Sequence, residues 1–422
     1  MNAWIIAVGS ELLTPFKVDT NSLTITERLN AIGCRVRFKS VIGDDVHDLQ
    51  AAIARATQTV DVVICTGGLG PTEDDVTREA VAGALGLTLS EDPSIVEAIR
   101  ARFERRGLTM SVNNRRQAMV PRGAVVIENT RGTAPGLWLE SAGAAIAVLP
   151  GPSREMLPML EFVIEQYLRP RAQGARLSRR VVKVTGRPES EVDAICGPVY
   201  TPWAQAPLPI ETTILAALGQ IELHLTAVGS DDVAASRALD AAVAALQSVL
   251  GPSVYSIDGQ PLEAVVGDLL KAAGKTVAVA ESCSGGLLSS RLTDVPGSSA
   301  YFNRGAVCYS NAAKMDWLGV PGAVIEAHGA VSEPVARAMA SGVRAAAGAD
   351  AGIGVTGIAG PDGGTDEKPV GTVAIAVCLG DDEQVRTFRF VGPRDMVKFQ
   401  SAQAAMNMLR LMLLASATPG LH

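Results

Sequence analysis

The chain has 422 residues, 47% of them hydrophobic and 4% aromatic, and a net charge of −7. That length predicts about three domains at roughly 150 residues each, and the acidity argues against a general binder of nucleic acid or anionic membrane. The six cysteines are scattered with no CxxC pair, so a zinc knuckle or a disulfide framework has no support; with no basic leader and no apolar run as long as a membrane span, the chain is expected in a reducing cytoplasm.

Residues 1–168 alternate strand and helix patterns. Trp4–Val8 is an apolar strand ending in Gly9-Ser10-Glu11, a helical pattern covers about 20–32, and Val36–Val41 is a second strand. Asp45 or Asp48 opens the next helix, to about Thr59. Asp61–Thr66 is a third strand, ending in Gly67-Gly-Leu-Gly-Pro71, and Asp75–Leu85 reads as helix. Ala144–Leu149 is a late strand ending in Pro150-Gly-Pro152, with a helix from Ser153. This alternation implies parallel pairing in a doubly wound α/β sheet, whose ligands sit beyond the carboxyl ends of the strands. All three glycine-rich turns fall there. In Thr66–Thr77 the glycines let backbone approach a ligand, and the N–H groups favour an anion. Asp74 and Asp75 add a metal or hydroxyl contact, or serve only the N-terminus of the following helix.

The basic stretch Arg169–Arg176 reads as a linker. Residues 177–257 form a small α+β segment, with strands at Arg180–Thr185 and Gln220–Val228 and a helix over Asp232–Leu250. A third segment, 261–418, is α/β again. It has a helix at Pro261–Ala273, a strand at 276–280, strands at Ala306–Tyr309 and Ala351–Thr356, and a helix at Pro334–Ala347. A strand pair at Gly371–Leu379 and Gln384–Val391 follows, then a long helix over Asp395–Leu414.

Three strand ends in the third segment carry polar, loop-forming residues: Glu281-Ser282; Tyr309-Ser-Asn311 with Lys314; and Thr356-Gly357 with its glycine-rich loop. Ser282, in Ala280-Glu-Ser-Cys-Ser-Gly-Gly286, has two readings. It is an N-cap for the helix pattern Leu287–Leu292, or it is an acyl-transfer nucleophile, with the N–H groups around Cys283–Gly285 holding an oxyanion. His328 precedes a helix cap at Ser332, so a Ser-His-Asp arrangement has little support, and the base must be another group. A lysine of lowered pKa relayed by a tyrosine hydroxyl serves, and one loop delivers both Tyr309 and Lys314. The alternatives are a solvated lysine and a core aromatic. The loop from Gly357 through Gly360 to Gly364 is either a nest for phosphate or ribose oxygens or a mobile surface loop. Arg394 adds a phosphate contact.

The stretches AESCSGG (280–286), GSSAYFNRGAVCYSNAAK (297–314), HGAVSEPV (328–335) and GIAGPDGGTDEKPVGTV (357–373) closely resemble the C-terminal domain of the CinA family, the nicotinamide mononucleotide amidohydrolases. The resemblance implies hydrolysis of the nicotinamide carboxamide to give nicotinic acid mononucleotide and ammonia, without a cofactor. Carried over by position, Ser282 is the nucleophile, and Tyr309 and Lys314 activate it. Glu281, Cys283, Gly285, Gly286, Asn311, Thr356, Gly357, Gly360 and Arg394 make the expected substrate site.

The first segment resembles the molybdopterin-binding fold, and more closely the N-terminal domain of full-length CinA proteins, through GSELL (9–13), DTNS (19–22), GDD (43–45), the Thr66–Thr77 stretch and LPGPSREM (149–156). It implies an ADP-ribose pyrophosphatase that uses a divalent metal ion. The expected nucleotide site is Gly9, Glu11, Asn21, Gly67, Gly68, Gly70, Thr72, Asp74 and Gly151, with Asp44, Asp75 and Glu155 as metal ligands. One departure follows GSELL: the family often has a glycine where this chain has Thr14-Pro15-Phe16-Lys17. The middle segment resembles the KH-like domain of such proteins but lacks the GXXG clamp of RNA-binding KH domains, so a spacer or dimer element is expected rather than an RNA reader. Nicotinamide mononucleotide and ADP-ribose are the expected ligands and a homodimer the expected assembly. The competing readings are a competence or DNA-damage adaptor that binds a recombinase, and a molybdopterin-handling protein.

Overall fold

The computed structural model describes residues 1–141, 143–217 and 219–417. The chain falls into two compact units, Met1–Ser178 with Ala227–Ser236, and Arg179–Thr226 with the chain from Arg237 onward.

In the first unit the strands are β1 (Asn2–Val8), β2 (Arg35–Ile42), β3 (Val62–Thr66), β4 (Leu89–Glu91), β5 (Met119–Pro121), β6 (Val125–Ile127), β7 (Gly136–Ser141) and β8 (Ala144–Leu149). Six of them form a sheet in the order β2-β1-β3-β8-β7-β6, and β4 pairs with β5 separately. The β2-β1-β3-β8 core is parallel, as the alternating pattern predicts, whereas β7 and β6 join it antiparallel. β3 and β8 are buried along their whole length, because helices cover both faces of the sheet. Those helices are α1 (Asn21–Asn30), α2 (Val46–Thr59), α3 (Thr77–Leu85) and α5 (Ser153–Val163), whereas α4 (Pro93–Glu104) packs in a separate cluster with Ala118 and Val120. Asp45 caps α2 by accepting the N–H groups of His47 and Asp48. The basic stretch expected as a linker instead continues helical through a short turn, α6 (Arg169–Arg171), and ends in a strand.

That strand, β9 (Arg176–Thr185), belongs to a four-stranded sheet in the order β10-β11-β9-β12, with β10 (Ile210–Ala217), β11 (Gln220–Gly229) and β12 (Val254–Ser256). Its helices are α7 (Glu189–Tyr200) and α8 (Asp232–Leu250). Contrary to the expectation from sequence, residues 232–253 are long and apolar enough to cross a membrane. Ala235, Leu239, Ala242, Val243, Leu246 and Leu250 are buried at three- and four-residue spacing, the stripe of an amphipathic core helix.

The last sheet has the order β14-β13-β15-β16-β17, built from β13 (Val277–Glu281), β14 (Phe302–Val307), β15 (Ala351–Gly357), β16 (Thr372–Leu379) and β17 (Asp382–Arg389). β14, β13 and β15 are parallel; β16 and β17 return antiparallel. The helices are α9 (Leu262–Ala273), α10 (Leu287–Thr293), α11 (Asn311–Leu318), α12 (Gly322–His328), α13 (Glu333–Ala347) and α14 (Arg394–Ala417). α9, α10 and α14 bury one face of the sheet, and α11, α12 and α13 bury the other. Arg410 of α14 donates to the carbonyls of Pro252 and Val254, tying the four-stranded sheet to this domain.

Candidate active site

β13 lies between β14 and β15 with Glu281 in register with Val307 and Val355. The three strand ends therefore open at one edge of the sheet. Ser282 follows β13 directly. Its N–H is held by the Val355 carbonyl at 2.9 Å, and the Cys308 N–H is held by the Glu281 carbonyl at 2.8 Å. These two bonds fasten the turn to both neighbouring strands.

Helix α10 needs acceptors for its first N–H groups, and Ser282 does not supply them. The Glu281 carboxylate, wholly buried, accepts the N–H groups of Gly286 and Leu288 at 3.0 Å and that of Ser289 at 2.8 Å, together with the Ser289 hydroxyl at 2.6 Å. Four donors and the positive end of the helix offset the cost of burying this charge. Glu281 is thus the cap rather than a substrate contact, and the Ser282 hydroxyl is released from capping. Glu281→Gln replaces one acceptor oxygen with a donor and strands at least one N–H, so it is expected to cost about 1–3 kcal/mol of stability, measured as a lower urea midpoint.

The Ser282 Oγ accepts a hydrogen bond from the Lys314 Nζ at 3.2 Å. Lys314 extends from the first turn of α11 back beneath the β14–α11 connection, where it is 1% exposed. Its ammonium also donates to the carbonyls of Cys308 at 3.1 Å and Tyr309 at 3.3 Å. Burial lowers its pKa from the ordinary lysine value, and among the described residues no carboxylate pairs with it to compensate for lost water. The expected tyrosine relay is not formed: the Tyr309 side chain is 61% exposed and its hydroxyl accepts from Arg394 at 2.9 Å. Lys314 meets the serine directly.

The rest of the turn divides between packing and donation. Cys283 sits in the apolar core, where burial pushes its thiol up to about 12, so it stays a neutral packing group. The Gly285 N–H bonds the Ser282 carbonyl at 3.1 Å and the Gly286 N–H bonds Glu281, while the N–H groups of Cys283 and Ser284 lie against the Cys283 sulfur. Gly285 and Gly286 have φ of +61° and +93°, values that favour glycine. The Thr356 hydroxyl, 1% exposed, donates to the Ala330 carbonyl at 2.8 Å, so it anchors the β15 end rather than facing a ligand. Asn311 is exposed at the start of α11. Beside the turn a cavity of about 610 Å³ is lined by Ala359, Gly360, Pro361, Val370, Arg394 and Lys398, among others.

The ends of β1, β3 and β8 in the first unit open on a second cavity, of about 370 Å³. Gly9, Glu11, Gly67, Gly68, Gly70, Asp74 and Gly151 line it, as do Asp44, Asp75 and Glu155. Gly67 has φ +111°, and a Cβ there would lie 2.2 Å from the Val8 carbonyl oxygen, which ties the close approach of the β1 and β3 ends to glycine. Beneath the loop the buried Arg78, its pKa pulled down to about 10 by desolvation, donates to the Leu69 carbonyl. Two expected ligand contacts are used elsewhere. Asn21 bridges Gly151 and Ser153, and Thr72 donates to Asp75 from both its N–H and its hydroxyl. The three expected metal ligands do not gather: among the described residues no three His, Cys, Asp or Glu side chains form a metal-binding cluster. Asp75 is engaged by Gly70 and Thr72, Asp44 by the Ser10 N–H at 2.8 Å, and Glu155 by Asn129 at 2.8 Å.

Residues 259–413 match the family described as CinA C-terminal domain, and residues 4–170 match the probable molybdopterin binding domain. A CinA-like protein of Koribacter versatilis is 44% identical over 98% of this chain and 100% of its own length. The chain belongs to the CinA family. A putative competence-damage inducible protein of Moorella thermoacetica is 42% identical over 97% of this chain and 98% of its own. A solved CinA structure from Thermoplasma acidophilum, 33% identical, covers 39% of this chain and 98% of that one at a TM-score of 0.37. In this CinA chain, sequence reasoning missed Gln117, Thr133 and Ala134, which line the first unit's cavity. They arrive from the 112–118 turn and the β6–β7 loop, and the signal available was Asn129–Pro135, whose Asn129 side chain accepts the N–H groups of Arg131 and Gly132. Lys398 beside the serine turn was also missed.

Proposed function

We propose that the serine site hydrolyses the carboxamide of nicotinamide mononucleotide. The observation that carries this reading is the contact between the Ser282 hydroxyl, freed from helix capping by Glu281, and the buried ammonium of Lys314. In its neutral form Lys314 takes the proton of Ser282 as the Oγ attacks the carboxamide carbon. The N–H groups of Cys283 and Ser284 would turn from the neutral Cys283 sulfur to hold the resulting oxyanion. The Lys314 ammonium then returns the proton to the departing nitrogen, which leaves as ammonia, and the serine ester is hydrolysed by water with Lys314 again the base. Ammonia release from nicotinamide mononucleotide by the purified protein tests the reading; none from folded protein overturns it.

For the first unit we propose a metal-dependent pyrophosphatase acting on ADP-ribose. Glycine N–H groups and hard carboxylate oxygens share one cavity, a donor set that fits a divalent ion held by one or two carboxylates plus substrate phosphates. Because the cavity's carboxylates form no three-ligand cluster among the described residues, one or two of them together with substrate phosphates would hold it; the ion would neutralise charge on the pyrophosphate. Asp75 acts by holding the glycine loop through Gly70 and Thr72. Asp75→Ala is expected to lower AMP release from ADP-ribose by about 10- to 100-fold, since three hydrogen bonds to a charged group are lost. Metal-independent turnover or an unaffected variant would count against this assignment.

A further inference from the structure

Resting on the deamidase reading of the Ser282 site, we propose that Lys398 is the residue that reads the substrate's phosphate and so selects a mononucleotide over its nucleoside. Arg394 is the first candidate by sequence, but each of its terminal nitrogens already has a protein partner. One donates to the Gly360 carbonyl at 2.6 Å and the other to the Tyr309 hydroxyl at 2.9 Å. Arg394 therefore positions Tyr309 and the glycine-rich loop. Lys398 lies one helical turn further along α14, on the same face, and lines the same 610 Å³ cavity.

Among the described residues Lys398 has no ion pair and no side-chain hydrogen bond, in contrast to the neighbouring Arg394. Its ammonium also lies against the nucleophile turn: a Cβ built on Gly285 would be 3.5 Å from the Nζ. A half-buried, unpaired ammonium at the edge of a cavity that also takes in the charged Arg394 and Asp395, and whose remaining walls are Ala359, Pro361, Val370, Pro393 and glycine backbone, suits a ligand with one anionic group and an apolar body. A phosphate monoester on a nucleoside has that chemistry, and lysine serves phosphate as a point charge without needing a planar fork. In this proposal the phosphate and the reacting carboxamide are read at opposite ends of one substrate.

The test compares kcat/KM for nicotinamide mononucleotide and nicotinamide riboside in wild type, Lys398→Met and Lys398→Arg, and measures inorganic phosphate as a competitive inhibitor and by direct titration. The expected result is that Lys398→Met reduces the preference for the mononucleotide by about 10- to 100-fold, as for loss of a charged hydrogen bond. The loss should appear in KM rather than kcat, with phosphate binding lost and Lys398→Arg restoring much of both. An unchanged preference, or an equal loss on both substrates, overturns the proposal. If wild type releases no ammonia from either compound, the deamidase reading fails, and the titration decides the phosphate site. Phosphate binding that disappears in Lys398→Met sustains the site, and equal binding in both proteins overturns it.

Discussion

Ser282→Ala is expected to reduce ammonia release from nicotinamide mononucleotide by at least about 10³-fold, because it removes the only atom that forms a bond to the substrate. The residual rate would come from binding and the oxyanion donors alone. The variant should fold. The Ser282 hydroxyl makes one side-chain hydrogen bond, to Lys314, while the turn is held by the Ser282 N–H on Val355 and by the Glu281 carboxylate under α10. Its thermal midpoint should therefore stay near that of wild type, so lost activity cannot be assigned to unfolding. Retention of wild-type turnover would remove Ser282 from the mechanism. The adaptor reading expects no ammonia from either protein.

The parallel strands were legible because each is a short apolar run closed by glycine or a polar turn, and a buried parallel strand needs little else. The helix α8 stripe was legible from its periodicity, whereas α14 has no single apolar stripe, being buried on several sides, and was legible from its length free of glycine and proline. Between Gly86 and Gly143 the pattern is weaker: β4, β5 and β6 have three residues each, too few to display alternation. The antiparallel partner β7 was missed with them. At the serine site the strand ends and the three key residues could be read, since chain order and turn chemistry place them. Side-chain direction could not. Glu281 and Ser282 are adjacent, yet the period of the strand sends the carboxylate into the helix end and leaves the hydroxyl to Lys314. Tyr309 and Lys314 leave one connection in opposite senses, because Lys314 is drawn inward by two carbonyls of the same turn, whereas Tyr309 finds Arg394 at the surface. Lys398 was invisible because α14 comes to the turn only through the folded packing of α9, α10 and α14.

Lys314→Met is expected to lower kcat by about 10² to 10⁴-fold, the range for a positioned general base, and to change the pH profile as well as the rate. The reactive form is the neutral amine. Burial lowers the Lys314 pKa below the ordinary 10.5, so the base form is reached at lower pH than for a solvated lysine. Wild-type kcat/KM should therefore rise as pH increases through that lowered value and level off above it; the methionine variant should lose this limb. Lys314→Arg separates charge from basicity: a guanidinium keeps the positive charge beside Ser282 but does not give up its proton. If Lys314 acted only as a fixed charge for the oxyanion, the arginine variant would keep most of the activity and wild type would fall, not rise, as pH passes through the lysine pKa. If it acts as the base, both variants are slow and only wild type shows the rising limb. The two roles thus predict opposite slopes in the same titration, and the contact between Nζ and Oγ at 3.2 Å, with burial that makes the neutral amine accessible, favours the base.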